Sequence, residues 1–241
     1  PEGSTVVLTV QRAGEDAPFQ VTLVRARIEI PNIETRLLEE AAGEEARLVA
    51  YISLRDFNAA APVQFRRALQ EVLALQPTGL ILDLRGNPGG YLHVAVAVAS
   101  EFVGQGDIVV EQRGDGQEMR YPAQPGGLAA DSSLPLVVLV NAGSASASEI
   151  VAGAIQDTGR GILLGETTFG KGSVQVAHTL DDGAQLRITT ARWFTPSGRA
   201  IQGQGLTPEV VVPLAEGAQS SSGDLDAQLV AALDHLTGQV E

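Results

Sequence analysis

The sequence predicts an α/β fold, and three observations carry that expectation. GLILDLR (79–85) and LPLVVLV (134–140) are short, nearly continuous apolar runs, the pattern of strands buried on both faces of a sheet. Each run ends in a loop of small residues, GNPGG (86–90) and NAGSASAS (141–148). Each loop then opens onto a helix-like stretch, so strands and helices alternate as they do in a layered sheet-and-helix core.

The hairpin signal comes first along the chain. TVVLTVQR (5–12) and FQVTLVRARIEI (19–30) alternate apolar and polar residues around the turn-like AGEDAP, which reads as a β-hairpin. Two strands do not make a stable domain, so the hairpin is expected either to pack on the residues after Ile30 or to close a domain lying upstream of Pro1. Residues 34–47, charged and rich in alanine, read as a connecting helix or loop. LVAYISLRDF (48–57) is a strand, and VQFRRALQEVLAL (63–75) spaces its apolar residues at three and four, giving an amphipathic helix. After GLILDLR comes a helix over 91–103. DIVVEQR and the charged turn behind it suggest a second hairpin, and YPAQPGGLAADSS (121–133) reads as an exposed loop. LPLVVLV leads to a helix over 146–159, and GILLGE, VQVAHTL, AQLRITTARWF and EVVVP are the remaining strands. SSSGD (220–224) is linker-like, and the last helix aligns Leu225, Leu229, Leu233 and Leu236 on one face.

Composition excludes several classes of function. Over 241 residues the formal charge is −13, with no basic cluster, which argues against nucleic acid or an anionic membrane surface as partner. There is no cysteine, hence no disulfide, thiolate nucleophile or thiolate-bound metal, and His93, His178 and His235 are too scattered for a histidine metal site. No cofactor is implied. No apolar run approaches the length of a membrane span. The chain opens at Pro1, inside a strand-like pattern, and is expected to be a fragment or processed form.

The chemistry centres on GETTFGKGSVQ (165–175), because Lys171 is the one lysine beside fifteen arginines. Gly165, Gly170 and Lys171 nearly spell a phosphate-binding loop, but Gly172 stands where the magnesium-binding hydroxyl is required, and a strand comes next where a helix is needed. A solvated loop lysine is the plain alternative. Lysine has one property that arginine lacks: it can be driven neutral and act as a base. That requires lowering its pKa by roughly three, about 4 kcal/mol. Desolvation beside Phe169 and the apolar strands is the expected source.

A lysine base needs a nucleophile, and GSASASEI (143–150) offers Ser144, Ser146 and Ser148 among small residues, where a helix N-terminus presents free N–H groups to developing negative charge. Ser146-Ala147-Ser148-Glu149 also fits a capping box, and the two roles are compatible. A Ser–His–Asp arrangement using His178 and Asp157 is a rival, although His178 lies in a strand pattern. An S-x-x-K motif is absent, since Thr168 stands three residues before Lys171.

Four segments together, GLILDLRGNPGG, VNAGSASASEIVAGAIQD, GETTFGKGSVQ and FTPSGRAIQGQGLTPEV, resemble the carboxyl-terminal processing (tail-specific) proteases, serine peptidases that use a Ser–Lys pair. Their order and spacing fit along residues 48–213. The resemblance implies an α/β core of the ClpP/crotonase-like spiral type, preceded by the closing β-hairpin of a truncated PDZ domain. It implies a PDZ-like remnant over 1–30, a peptidase core over 31–213, and a linker with C-terminal helix over 214–241. It gives Ser146 as nucleophile, Lys171 as general base and Gln175 as the neutral group orienting the amine. Oxyanion donors would be the N–H groups of Gly89 or Gly90 with Ala147. Asp157 matches an acidic position read as supporting structure. The implied partner is a protein or peptide substrate engaged near its C-terminus, the location extracytoplasmic, and a homo-oligomer is admitted. The hairpin lacks the groove that would capture a C-terminal carboxylate. The alternative is a catalytically silent peptide-binding or scaffold member of the same family.

Overall fold

A computed structural model describes residues 1–27, 30–42, 45–130, 133–214 and 226–238. The chain divides into two units, residues 1–31 and 32–241. In the first, β1 (Thr5–Val10) and β2 (Phe19–Val24) form the expected antiparallel hairpin, with Thr5 opposite Val24 and Val10 opposite Phe19. The Arg12 guanidinium covers the Phe19 ring at 5.2 Å.

The second unit is built on a six-stranded sheet of order β12-β9-β8-β5-β4-β3. β4 (Glu45–Leu54), β5 (Gly79–Asp83), β8 (Leu136–Val140), β9 (Ile162–Gly165) and β12 (Val210–Val211) are parallel. Every residue of β5 and β8 is buried, as their unbroken apolar runs require. β3 (Ile33–Ala42) closes one edge antiparallel to β4. This corrects the expectation of a helix or loop over 34–47. Alanine and glutamate favour helix locally, but pairing along β4, itself hydrogen-bonded to β5, overrides that preference.

Side-chain alternation separates two cores. Ile52, Leu80, Leu82 and Val138 meet α1 (Ala61–Leu73), α2 (Leu92–Ser100) and α3 (Ala147–Asp157) on one face. α1 buries Ala61, Phe65, Ala68, Leu69 and Val72, the stripe its periodicity foretold. On the other face Val49, Ile81, Val137 and Leu139 meet Leu229, Ala232 and Leu233 of α4 (Ala227–Thr237). Leu225 and SSSGD lie outside the described residues.

A second, antiparallel sheet of order β10-β11-β6-β7 uses β6 (Asp107–Arg113), β7 (Glu118–Pro122), β10 (Ser173–Thr179) and β11 (Gln185–Phe194). The described part of that loop, 121–130, is less exposed than expected. Tyr121 and Pro122 finish β7, and Ala129 is buried with its N–H on the Glu101 carbonyl at 2.9 Å.

Candidate active site

The loops leaving the carboxyl ends of β5 and β8 interlock, and small residues make that possible. A Cβ on Gly143 would lie 2.8 Å from Gly86 Cα. Gly86 N–H donates to Asn141 Oδ1 at 2.9 Å, Ser144 Oγ donates to the Leu84 carbonyl at 2.8 Å, and Ala145 N–H reaches the Asn87 carbonyl at 3.0 Å. Ser148 Oγ donates to the same Asn87 carbonyl at 2.9 Å. Asn87 is fully buried, and its amide donates to the Leu54 carbonyl at 2.8 Å. Buried polar groups are tolerable only when partnered in this way.

The three serines are thereby distinguished. Ser144 and Ser148 are fully buried and spend their hydroxyls on backbone carbonyls. Ser146 instead heads α3 with φ 55° and ψ −111°, a conformation that an L-residue holds only under constraint from its surroundings. Its side chain lines a cavity of about 440 Å³ together with Gly90, Tyr91, Lys171, Gln175 and Trp193.

The third wall is the loop 166–172 after β9. Phe169 N–H donates to the Ser144 carbonyl at 3.0 Å, and Gly170 has φ 88°. Lys171 lies in this loop, two residues before β10, and Gln175 lies on the strand at a register shift between Val174 and Gln175, the kind of irregularity that re-aims a side chain. Lys171 is exposed, as is Phe169 at 65%. The expected desolvation of the amine by Phe169 and the apolar strands is therefore not provided by the chain itself.

Gly89 and Gly90 are forced to be glycine. Their φ values are 105° and 151°; a Cβ would meet Ser146 Cβ at 2.8 Å in the first case and the Phe57 carbonyl oxygen at 2.4 Å in the second. Gly89 N–H is held by Asn87 Oδ1 at 2.9 Å. Among the described residues the N–H groups of Gly90 and Ala147 have no acceptor.

Neither His178 nor Asp157 lines the cavity. Asp157, at the far end of α3, accepts Ser197 N–H at 2.8 Å and pairs with Arg199, so it braces the turn over 195–199. Burial would raise its pKa, but hydrogen bonds from Ser197 and Thr195 and the Arg199 charge together hold it below the usual carboxylate value. The resemblance offered no role for Glu149, Asn87 or Arg187. The capping-box pattern singled out Glu149, but its bonds to residues 168–171 come only with the fold. Among the described residues no cluster of three or more His, Asp or Glu side chains is placed to hold a metal ion, and no helix is long and apolar enough to cross a membrane.

Interlocked glycine- and serine-rich loops at the carboxyl ends of parallel strands bring a constrained serine and a lysine to one cavity. The chain belongs to peptidase family S41, whose model matches residues 48–212. It is 40% identical over 223 residues to a carboxy-terminal-processing protease of Bartonella bacilliformis, covering 90% of this chain and 49% of the relative. It is 40% identical over 242 residues to the carboxyl-terminal-processing protease of Synechocystis sp., covering 100% of this chain and 55% of the relative. The photosystem II D1 C-terminal processing protease has the same fold at 34% identity and TM-score 0.71, covering 88% of this chain and 56% of that structure. The chain thus spans about half the length of the curated relatives it matches.

Proposed function

We propose that this chain carries the peptide-hydrolysing site of a carboxyl-terminal processing serine endopeptidase. The observation that supports the reading is the convergence of Ser146, Lys171, Gln175 and Gly90 on one cavity. The neutral Lys171 amine accepts the Ser146 proton as Oγ attacks the scissile carbonyl. The N–H groups of Gly90 and Ala147 hold the resulting oxyanion; Gly89 is left out because its N–H already serves Asn87. Lys171 then protonates the leaving amine, and water, activated in the same way, releases the acyl group. Gln175 orients the amine without adding a charge that would favour the protonated form. Because Lys171 is exposed in the free chain, a peptide laid across the cavity is assigned the task of excluding water, which favours a neutral amine. Asp157 acts through the turn over 195–199.

The hairpin within residues 1–30 is read as the closing strands of a PDZ-like domain, with substrates engaged near their C-termini. A location outside the cytoplasm is part of the same proposal and rests on the family resemblance alone.

The test is cleavage of an unfolded protein by the wild type, Ser146→Ala and Lys171→Arg. Both variants are expected to lose at least about 10²-fold in rate. Full activity in Lys171→Arg overturns the base assignment, since arginine keeps the charge and cannot lose the proton. A wild type that retains peptide without cutting it would identify the silent binding or scaffold alternative instead.

A further inference from the structure

The cavity that holds Ser146 is positive in an acidic protein. Two cations, Lys171 and Arg187, line it, and none of its lining residues is an aspartate or glutamate, although the chain carries 29 acidic residues against 16 basic ones. Arg36, Arg66, Arg85, Arg120 and Arg199 each form an ion pair with a carboxylate, whereas Arg25, Arg47 and Arg160 bond to a hydroxyl or to carbonyls. Arg187 is exposed and has no hydrogen-bond or ion-pair partner among the described residues.

Strand register fixes where this charge points. Arg187 on β11 lies directly opposite Ala177 on β10, and Thr189 lies opposite Gln175. Directly opposed residues share a face of the pleat, as do residues two apart along a strand, so Arg187 stands on the face of Gln175. It is displaced from it by about 7 Å along the strand, the span of two residues of extended peptide. Both cations bear on an anion in the cavity, and the fork of Arg187 suits a planar carboxylate.

We infer that Arg187 is a specificity residue that anchors a substrate carboxylate within about three residues of the scissile bond. The carboxylate is either the free C-terminus of the chain being trimmed or an aspartate or glutamate side chain. The inference rests on the peptidase reading for its meaning, and the test separates the two by measuring binding as well as turnover.

Matched peptides would be compared, each ending in a free carboxylate or an amide, and each carrying glutamate or glutamine near the cleavage point. Binding is read by fluorescence anisotropy in the uncleaving Ser146→Ala chain, with and without Arg187→Gln or Arg187→Lys; turnover is read in the Ser146 chain. One carboxylate class is expected to bind about tenfold more tightly than its neutral partner, the worth of one charge-assisted hydrogen bond, and to lose that advantage as salt rises. Arg187→Gln should collapse the ratio to about one, and Arg187→Lys should keep part of it, with melting temperatures unchanged. Preference at the C-terminus alone identifies the tail carboxylate, and preference at the internal position alone identifies an acidic side chain. A ratio that survives Arg187→Gln, or no preference for any carboxylate, overturns the inference. A chain that binds with this preference yet cuts nothing refutes the peptidase reading and leaves the carboxylate site standing.

Discussion

Glu149 holds Lys171 by its backbone. Through Oε2 its carboxylate accepts the Lys171 N–H at 2.9 Å and, at the same oxygen, the Ser146 N–H at 2.8 Å. Oε1 accepts the Thr168 hydroxyl at 2.6 Å and the Gly170 N–H at 2.7 Å. The side chain is fully buried, and four donors offset its desolvation. A capping box has thus been extended into a clamp between the loop of the proposed nucleophile and the loop of the proposed base.

Glu149→Gln should break that clamp. An amide keeps one acceptor oxygen and turns an NH₂ toward two donors, at about 1–3 kcal/mol for each orphaned buried group. Stability should fall in thermal melts, and kcat per active site titrated with a fluorophosphonate should fall at least about tenfold. A folded variant with wild-type kcat per site would show that Glu149 only caps the helix.

Ser144→Ala and Ser146→Ala should behave oppositely. The first strips a partner from the buried Leu84 carbonyl and from the Asn141 N–H, costing about 1–3 kcal/mol in urea unfolding while the folded fraction keeps its activity. The second should cost about 1 kcal/mol for the lost helix cap and abolish turnover. Loss of turnover from Ser144→Ala alone, in folded protein, would misassign the nucleophile.

Gly89→Ala would drive a Cβ to within 2.8 Å of Ser146 Cβ and 2.9 Å of the Ala147 nitrogen, at φ 105°. It should destabilise by more than ~1 kcal/mol and inactivate the site. Gly86→Ala is the control: φ is 66° but nothing lies within 4 Å, so it should cost about 1–2 kcal/mol of backbone strain and spare turnover. Equal effects on turnover would count against the close approach at Gly89.

Arg85 is 4% exposed and joins Asp83 and the helix-capping Asp226, each at 2.7 Å. Tyr51 completes the cluster with its hydroxyl on Asp83 Oδ2 at 2.8 Å, and burial together with the Asp83 charge pushes its pKa well up. Arg85→Met leaves the buried Asp83 and the half-buried Asp226 without their cation and should cost about 3–5 kcal/mol. Hydrogen exchange should speed up in α4; protection equal to wild type would show that the apolar face of the helix suffices.

Asp157 should contribute to acid stability. Its folded pKa is depressed, so its contribution is fully present above the unfolded carboxylate value near about 4 and is lost as pH falls through the folded value. Asp157→Asn should therefore flatten the fall in urea midpoint below about pH 4. An unchanged acid limb would show that the turn over 195–199 is held without that charge.

Most elements were legible because their signals are local. The apolar runs of β5 and β8, the stripe of α1 and the small residues of the two loops all act within a few neighbours. β3 is not legible locally because its partner strand, not its own composition, decides its conformation. The exposure of Lys171 is not legible either, because flanking apolar residues do not reveal which side of a loop faces water.

The sequence by itself determined the strand–helix order from β4 onward, since periodicity, glycine placement and residue type are properties of neighbouring positions, and four quoted segments together carried the resemblance to the family. Tertiary structure alone decided which serine faces the cavity, what Glu149 clamps, where Arg187 points and how α4 is tied down. The reason is chain separation: Ser144 meets a carbonyl 60 residues away, Glu149 a backbone N–H 22 away, and Arg85 a carboxylate 141 away. Closing such loops carries an entropic cost, offset by the collective burial of two apolar cores rather than by any signal within the segments themselves.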